Sequence, residues 1–218
     1  AEALAELPVA VARRVVRLAF ARVRGDLRQM EFQHVEQTLG LARRQQGAGR
    51  LQVPGVDVFR SFDWLRIGPL RKEAVQRIVL ERLQVPGRTE LPGGVVVETR
   101  IGWTNAGGDT VYNGGREQLW ECVDFERVTG ELTLRYWLPG DAYRPVGSDR
   151  AEKIKTMFQT ARVPLWERRI WPIVETGEQI VWARGFGVSQ AHAAGPESQR
   201  VLELRCWSPG RAAEKLFG

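Results

Sequence analysis

The spacing of apolar residues changes once, sharply, in the first third of the chain, and this change restricts the fold more than any other feature. Over LPVAVARRVVRLAFARVRG, Val9, Ala12, Val15, Val16, Ala19, Phe20 and Val23 recur at steps of three and four. That spacing predicts a helix with one apolar face. Pro8 stands near its first turn, where a missing N–H costs nothing, and Gly25 stands where a helix stops. Phe32, Val35, Leu39 and Ala42 keep the helical step, predicting a second helix over about 28–46 that ends at QQGAG. The period then drops to two. LQVPGVDVFRSFDWLRIGP alternates around a Pro-Gly turn, predicting short antiparallel strands at 51–53, 56–61 and 64–67 packed on the helix pair.

Arg13, Arg17 and Arg24 fall in a narrow stripe beside the apolar face of the first helix. Such a stripe suits either a solvated flank or a ridge that tracks phosphates. His34 lies off the second helix's apolar stripe with no Ser, Asp or Glu arranged around it, which favours a surface or packing role over catalysis. RLQVPG occurs at 50–55 and again at 82–87, but one hexapeptide does not establish a duplication. RKEAVQRIVLE fits neither helix nor strand spacing, GGVVVETRIGW is a predicted strand, and TNAGGDTVYNGGR reads as a Gly-rich loop. That loop lacks the Lys-Ser/Thr ending of a phosphate-binding loop. A domain boundary is expected in or just after it, near residue 116.

From 117 onward the chain is strand-rich, with QLWECVDF, ELTLRYWL, WPIVE, EQIVWARGF and RVLELRCWS around one helix at about 150–160. The expected class is α+β in two small domains. Residues 1–68 would form a helical pair with a hairpin layer, 69–116 connecting strands and the loop, and 117–218 a β-rich domain with one main helix. The length, 218 residues with 43% hydrophobic content, suffices for two cores.

Thirty-two Lys and Arg against twenty-six Asp and Glu leave a formal charge of +6, which favours an anionic partner. Cys122 and Cys206 have no CxxC spacing and no adjacent His, so the residues point to free thiols rather than a metal or redox pair. No run approaches a membrane span or a secretory leader, and a cytoplasmic setting without membrane contact is expected. The sequence begins Ala-Glu-Ala-Leu without Met, which raises the expectation of a longer parent protein.

In LPGD, Pro139 presets one dihedral, Gly140 permits a positive one, and Asp141 can accept from nearby amides, so the three read as a structural turn. SDRAEKIKTMF predicts a helix capped by Ser148 or Asp149, with Ile154, Met157 and Phe158 inward and Lys153 and Lys155 in water. Arg162, Arg168 and Arg169 add to the cations, and Tyr136, Trp137, Tyr143 and Trp166 stand among them. Cations on phosphates with rings against bases would suit RNA. The same rings would equally fill a small core. Nowhere does the pattern supply a nucleophile with its base, a metal cluster or a carboxylate pair for acid–base work, and Asp141, Asp149, Glu152 and His192 sit on turns, caps and a polar loop.

LRYWLPGD, KIKTMF, ARVPLWERRIWPIV and GEQIVWARGFG, in this order and spacing, resemble the last domain of the bacterial tRNA(Ile)-lysidine synthase family. LPVAVARRVVR, HVEQTLGLA and GRLQVPGVDVFRSFDWLRI resemble its middle domain. The resemblance covers nearly the whole chain and is weakest over about 69–117. It implies that the complete enzyme is an ATP-dependent ligase, using ATP and Mg to activate the wobble cytidine of an isoleucine tRNA with a CAU anticodon before lysine attacks. That chemistry belongs to an N-terminal PP-loop domain with a Ser-Gly-Gly-x-Asp-Ser signature. Here the Gly-Gly pairs at 93, 107 and 114 lack that context, so this chain is expected to be inactive by itself and to hold no cofactor. The resemblance also implies a last domain akin to one in the β subunit of phenylalanyl-tRNA synthetase. Arg135, Asp141, Lys153, Lys155, Pro164, Arg168 and Pro172 match the family's residue types, and Arg13, Arg14 and Arg17 match its basic run. Where the family often has further basic residues after the Gly-Asp turn, this chain has Ala142 and Tyr143. The expected tRNA contacts are therefore Arg13, Arg14, Arg17, Arg135, Lys153, Lys155, Arg162, Arg168 and Arg169. The alternative is a basic, Trp-rich face that docks a protein or a second copy in a homodimer.

Overall fold

The structure is a computed structural model that describes residues 1–44, 47–70, 80–103 and 121–207. Most of RKEAVQRIVLE, the Gly-rich TNAGGDTVYNGGR loop and the boundary expected near 116 lie outside the described residues. Two compact units are present, Ala1–Gln76 with Arg162–Leu165 and Arg77–Ala161 with Trp166–Gly218.

In the first unit, helices α1 (Glu2–Ala5), α2 (Val9–Arg24) and α3 (Phe32–Ala42) precede the strands β1 (Gly49–Val53), β2 (Val56–Ser61) and β3 (Trp64–Pro69). The strands form an antiparallel sheet in the order β1-β2-β3. Ala12, Val16 and Phe20 of α2 pack on Val35 and Leu39 of α3 and on Val56 and Val58 of β2. The buried stripe is narrower than the spacing predicts, because Val9 and Val15 are exposed. A helix packed on one side only keeps its flanks in water.

Helix α3 starts at Phe32, not near 28. Gln29 takes a left-handed φ of +63°, which breaks the helix upstream. Glu31 and His34 then cap each other's backbone, the Glu31 N–H donating to His34 Nδ1 at 3.1 Å. His34 thus has a structural role.

The second unit contains β4 (Leu80–Arg82), β5 (Gly87–Leu91), β6 (Val95–Trp103), β7 (Glu121–Asp124), β8 (Leu132–Tyr136), β9 (Ala142–Tyr143) and β10 (Glu152–Lys153). After them come α4 (Ile154–Thr160), α5 (Leu165–Arg168, whose first residue is assigned to the first unit), β11 (Pro172–Thr176), β12 (Gln179–Ala183), β13 (Gly187–Val188) and β14 (Arg200–Trp207). One sheet runs β13-β12-β11-β8-β4, another β5-β6-β14-β7, and β9-β10 is a two-stranded ribbon; every pairing is antiparallel. A single core draws Leu132, Leu134 and Val174 from the first sheet and Val95, Leu202 and Leu204 from the second, so the two sheets face each other. The architecture is mixed, with several antiparallel sheets and few helices. Strands β4 to β6, which the sequence assigns to a connecting stretch, are built into these sheets.

The two copies of RLQVPG do different things. The first closes the β1–β2 hairpin, where Val53 pairs with Val56 and Gly55 adopts φ +74°. The second passes from β4 in one sheet to β5 in the other through a cis Val85–Pro86 bond. Cys122 and Cys206 are not in disulfides, and burial pushes the Cys206 thiol up to about 12. Among the described residues no helix is long and apolar enough to cross a membrane.

Candidate nucleic-acid interface

In the first unit the basic stripe lies along α2. Arg13 Nε donates to Glu36 Oε1 at 2.6 Å, and its guanidinium sits 4.8 Å from the Phe32 ring centroid. That hydrogen bond holds the Glu36 carboxyl below its ordinary value. Arg14 and Arg17 are exposed, and among the described residues neither is ion-paired. Arg24 turns inward against Gly55 and lies 3.8 Å from Asp26, so it leaves the ridge that its spacing predicts.

The second unit layers its cations. Leu132, Leu134 and Tyr136 of β8 enter the core, so Thr133 and Arg135 point from the opposite face. Arg135 is 7% exposed. Its NH1 and NH2 donate to both Asp141 oxygens at 2.8 and 3.0 Å, and its Nε donates to Glu175 Oε2 at 2.7 Å. The sequence places Arg135 among the cations that face phosphate; the structure puts it beneath the surface, fully engaged with two carboxylates. Asp141 also accepts from the Leu138 N–H at 2.7 Å, and Gly140 has φ +107°. Leu138–Asp141 is a tight turn, closed also by the Asp141 N–H to Leu138 O at 3.1 Å.

Arg168 is also buried, 5.3 Å from the Phe158 ring centroid, and burial lowers its pKa. It too departs from the expected surface role. Arg169, the next residue, is exposed. Arg162, in the first unit, forms a paired hydrogen bond with Asp63, both contacts at 2.7 Å.

Lys153 and Lys155 stand in solvent on either side of buried Ile154, and among the described residues neither is ion-paired. Helix α4 starts after Lys153 rather than at Ser148 or Asp149. The reason is tertiary: backbone pairing of Glu152 and Lys153 with Tyr143 and Ala142 keeps those residues extended. Ser148 instead donates to Arg150 O at 2.9 Å. Arg144 and Arg150 are further exposed cations that the sequence reading missed, although both flank the same helix in the sequence.

The tyrosines and Trp171 resolve toward the core, whereas Trp137 and Trp166 are half-buried. Trp171 is 1% exposed and Tyr136 and Tyr143 are 6% exposed. Phe158 contacts Trp137 edge-on at 5.1 Å and Trp171 at 5.2 Å. Tyr143 donates to Gly187 O at 2.9 Å, and burial raises its pKa. Tyr136, Tyr143 and Trp171 are therefore not arranged to stack on bases.

An open depression of about 500 Å³ is lined by Tyr143, Arg144, Gln179, Ser189, Gln190 and His192, among others. His192 is buried and its pKa is lowered by desolvation and by Arg127. Its Nδ1 lies 3.4 Å from Ser189 Oγ, whereas the Asp124 carboxylate is engaged by Ser198 at 2.8 Å and by Arg127 at 3.1 Å. Ser, His and Asp are thus not aligned for nucleophilic catalysis. Among the described residues no group of three or more His, Cys, Asp or Glu could hold a metal ion. Basic side chains on folded ribbons and helices can hold and orient a polyanion.

Two family models match parts of this chain. Residues 1–66 match the family model described as TilS substrate binding domain, and residues 132–206 match that of the TilS substrate C-terminal domain. A tRNA(Ile)-lysidine synthase of Solibacter usitatus is 46% identical over 208 residues, covering 93% of this chain and 46% of the relative. The synthase of Symbiobacterium thermophilum is 30% identical, covering 84% of this chain and 38% of the relative. The chain thus spans less than half the length of these relatives. A solved structure titled as the crystal structure of the TILS C-terminal domain superposes on 62% of this chain and all of that chain, with TM-score 0.51 and 27% identity.

Proposed function

From a chain that belongs to the tRNA(Ile)-lysidine synthase family and carries its two substrate-domain regions, we propose that the function is to grip tRNA and orient it for lysidine formation. Positioning, not bond-making, is the contribution of the residues described. The observation that carries the proposal is the layered site of the second unit. There exposed Lys153 and Lys155 are held on a ribbon and helix that buried ion pairs anchor, inside the region matching the substrate C-terminal domain.

The contacting set is Lys153, Lys155 and Arg169 in the second unit, with Arg13, Arg14 and Arg17 on α2 in the first. Arg135 and Arg168 act beneath the surface. Ammonium and guanidinium groups neutralise phosphates and release counterions, so affinity falls as salt rises. Discrimination among tRNAs would come through minor-groove edges, 2′-hydroxyls or unpaired bases, since the A-form major groove does not admit side chains. The partner is an isoleucine tRNA with a CAU anticodon, and the setting is the cytoplasm. ATP and Mg are implied for the whole enzyme and not for these residues. Kinship of the second unit with a domain of the phenylalanyl-tRNA synthetase β subunit belongs to the same proposal.

Binding of this tRNA, compared with an elongator methionine tRNA at low and near-physiological salt, tests the proposal. A preference that persists in salt supports discrimination by these domains. Equal binding that collapses with salt limits them to a nonspecific grip, and no binding at either salt refutes the proposal. A second reading, a protein-docking or homodimer face, is favoured by Val11, Val15 and Leu18, which stand exposed at helical spacing along α2. Concentration-dependent association without tRNA affinity would support it instead.

A further inference from the structure

Arg135 donates four of its five N–H groups. Nε reaches Glu175 Oε2 at 2.7 Å, NH1 reaches Asp141 Oδ2 at 2.8 Å and Tyr136 O at 3.1 Å, and NH2 reaches Asp141 Oδ1 at 3.0 Å. The guanidinium thus ties β8 and β11 to the Leu138–Asp141 turn. The turn is closed by the Asp141 N–H to Leu138 O at 3.1 Å and by the Leu138 N–H to Asp141 Oδ2 at 2.7 Å. Beyond the turn, the connection continues through backbone alone. Asp141 O accepts from the Ile154 N–H at 3.0 Å, and Ala142 pairs with Lys153. Ile154 is the first residue of α4, between the two exposed lysines.

We infer that Arg135 is a positioning residue for RNA binding. Held by Asp141 and Glu175, it fixes through the turn and the β9–β10 ribbon where Lys153 and Lys155 meet phosphate. The inference rests on the proposed tRNA-binding function but assigns Arg135 a role that no exposed cation has. Lysine at this position would keep the charge and lose the planar fork, so it could not serve both Asp141 oxygens and Glu175 together. Asparagine at 141 would keep the size of the carboxylate and lose its charge.

The test is a double-mutant cycle in the full chain, with tRNA binding measured over a range of salt on Arg135→Lys, Lys153→Ala and the double variant, each shown to be folded by circular dichroism. Lys153→Ala is expected to weaken low-salt binding by about threefold to tenfold, and Arg135→Lys by a similar factor. The double variant should bind about as well as either single one, because both remove the same contact. Exchange of the Ile154 amide should accelerate in Arg135→Lys while amides of β14 stay protected. If Arg135→Lys does not fold, Asp141→Asn takes its place in the cycle with the same expectations. Lys153→Ala and Lys155→Ala binding like the parent would overturn the proposed function itself. A Lys153→Ala loss with unchanged binding in Arg135→Lys, or with additive losses, would overturn only the positioning role. In that case Arg135 merely stabilises the fold.

Discussion

The two units present arginine in opposite ways. On α2 the side chains of Arg14 and Arg17 extend from one helix into water, and Arg13 meets a single carboxylate at the surface. In the second unit Arg135 and Arg168 lie inside, while Lys153, Lys155 and Arg169 are exposed. The difference teaches that a basic cluster in sequence is not a basic surface. A helix on the outside of a unit displays whatever its outer face carries, whereas strands and turns packed on both faces draw charges in wherever a partner compensates for lost hydration, two carboxylates for Arg135 and the Phe158 carbonyl and ring for Arg168.

The comparison breaks most visibly at Arg135. Arg135→Ala leaves Asp141 and Glu175 with no cation between them, and a loss of about 3–5 kcal/mol of stability is expected, measured by denaturant unfolding. If the loss is below about 1 kcal/mol, the pairs carry no structural weight. Arg168→Ala removes the guanidinium packed over Phe158 and should cost about 2 kcal/mol, whereas Lys155→Ala should stay within about 0.5 kcal/mol. Equal costs at these positions would erase the distinction between inside and outside.

On α2 the expected effect lies in binding instead. Arg14→Ala with Arg17→Ala should leave the unfolding midpoint near that of the parent and reduce the slope of log affinity against log salt by about 1 per residue. A large loss of stability with an unchanged slope would reverse the assignment.

The smallest expected effect sharpens the comparison from the acid side. Burial raises the pKa of Glu121, while the hydrogen bond it accepts from Trp182 Nε1 at 2.7 Å opposes that rise. A carboxyl raised in the folded state binds its proton more tightly there than in the unfolded chain. Its contribution is therefore complete below the ordinary carboxylate value and lost as pH rises through the raised one. Glu121→Gln should gain relative to the parent near neutral pH, and the difference should close on acidification in paired melting curves. A difference constant with pH would mean that Glu121 titrates normally.

Much of this architecture is legible in residue order. Apolar period places α2, α3 and the three-stranded hairpin layer, because each side of a helix or strand faces one environment throughout its length. The alternation Leu132, Thr133, Leu134, Arg135, Tyr136 also sets Arg135 on the face away from the core. Helix starts are less legible. The helix expected from about 150 begins at Ile154 because Ala142 and Tyr143 pair with Lys153 and Glu152, eleven and nine residues further on, and hold them extended. Helical spacing puts Lys153 and Lys155 in solvent, where the structure has them, but no local signal says that Arg135 and Arg168 would be covered.

Residue order by itself determined the periods, the turns at Gly55 and Gly140, the excess of positive charge and the motifs that match the family, since these depend on bonds and neighbours within a few residues. Tertiary structure alone decided which arginines meet water. It also decided that one RLQVPG closes a hairpin while the other links two sheets. The reason is physical: burial of a charge depends on the partners that folding brings to it, and for Arg135 one of these, the Glu175 carboxylate, lies 40 positions away.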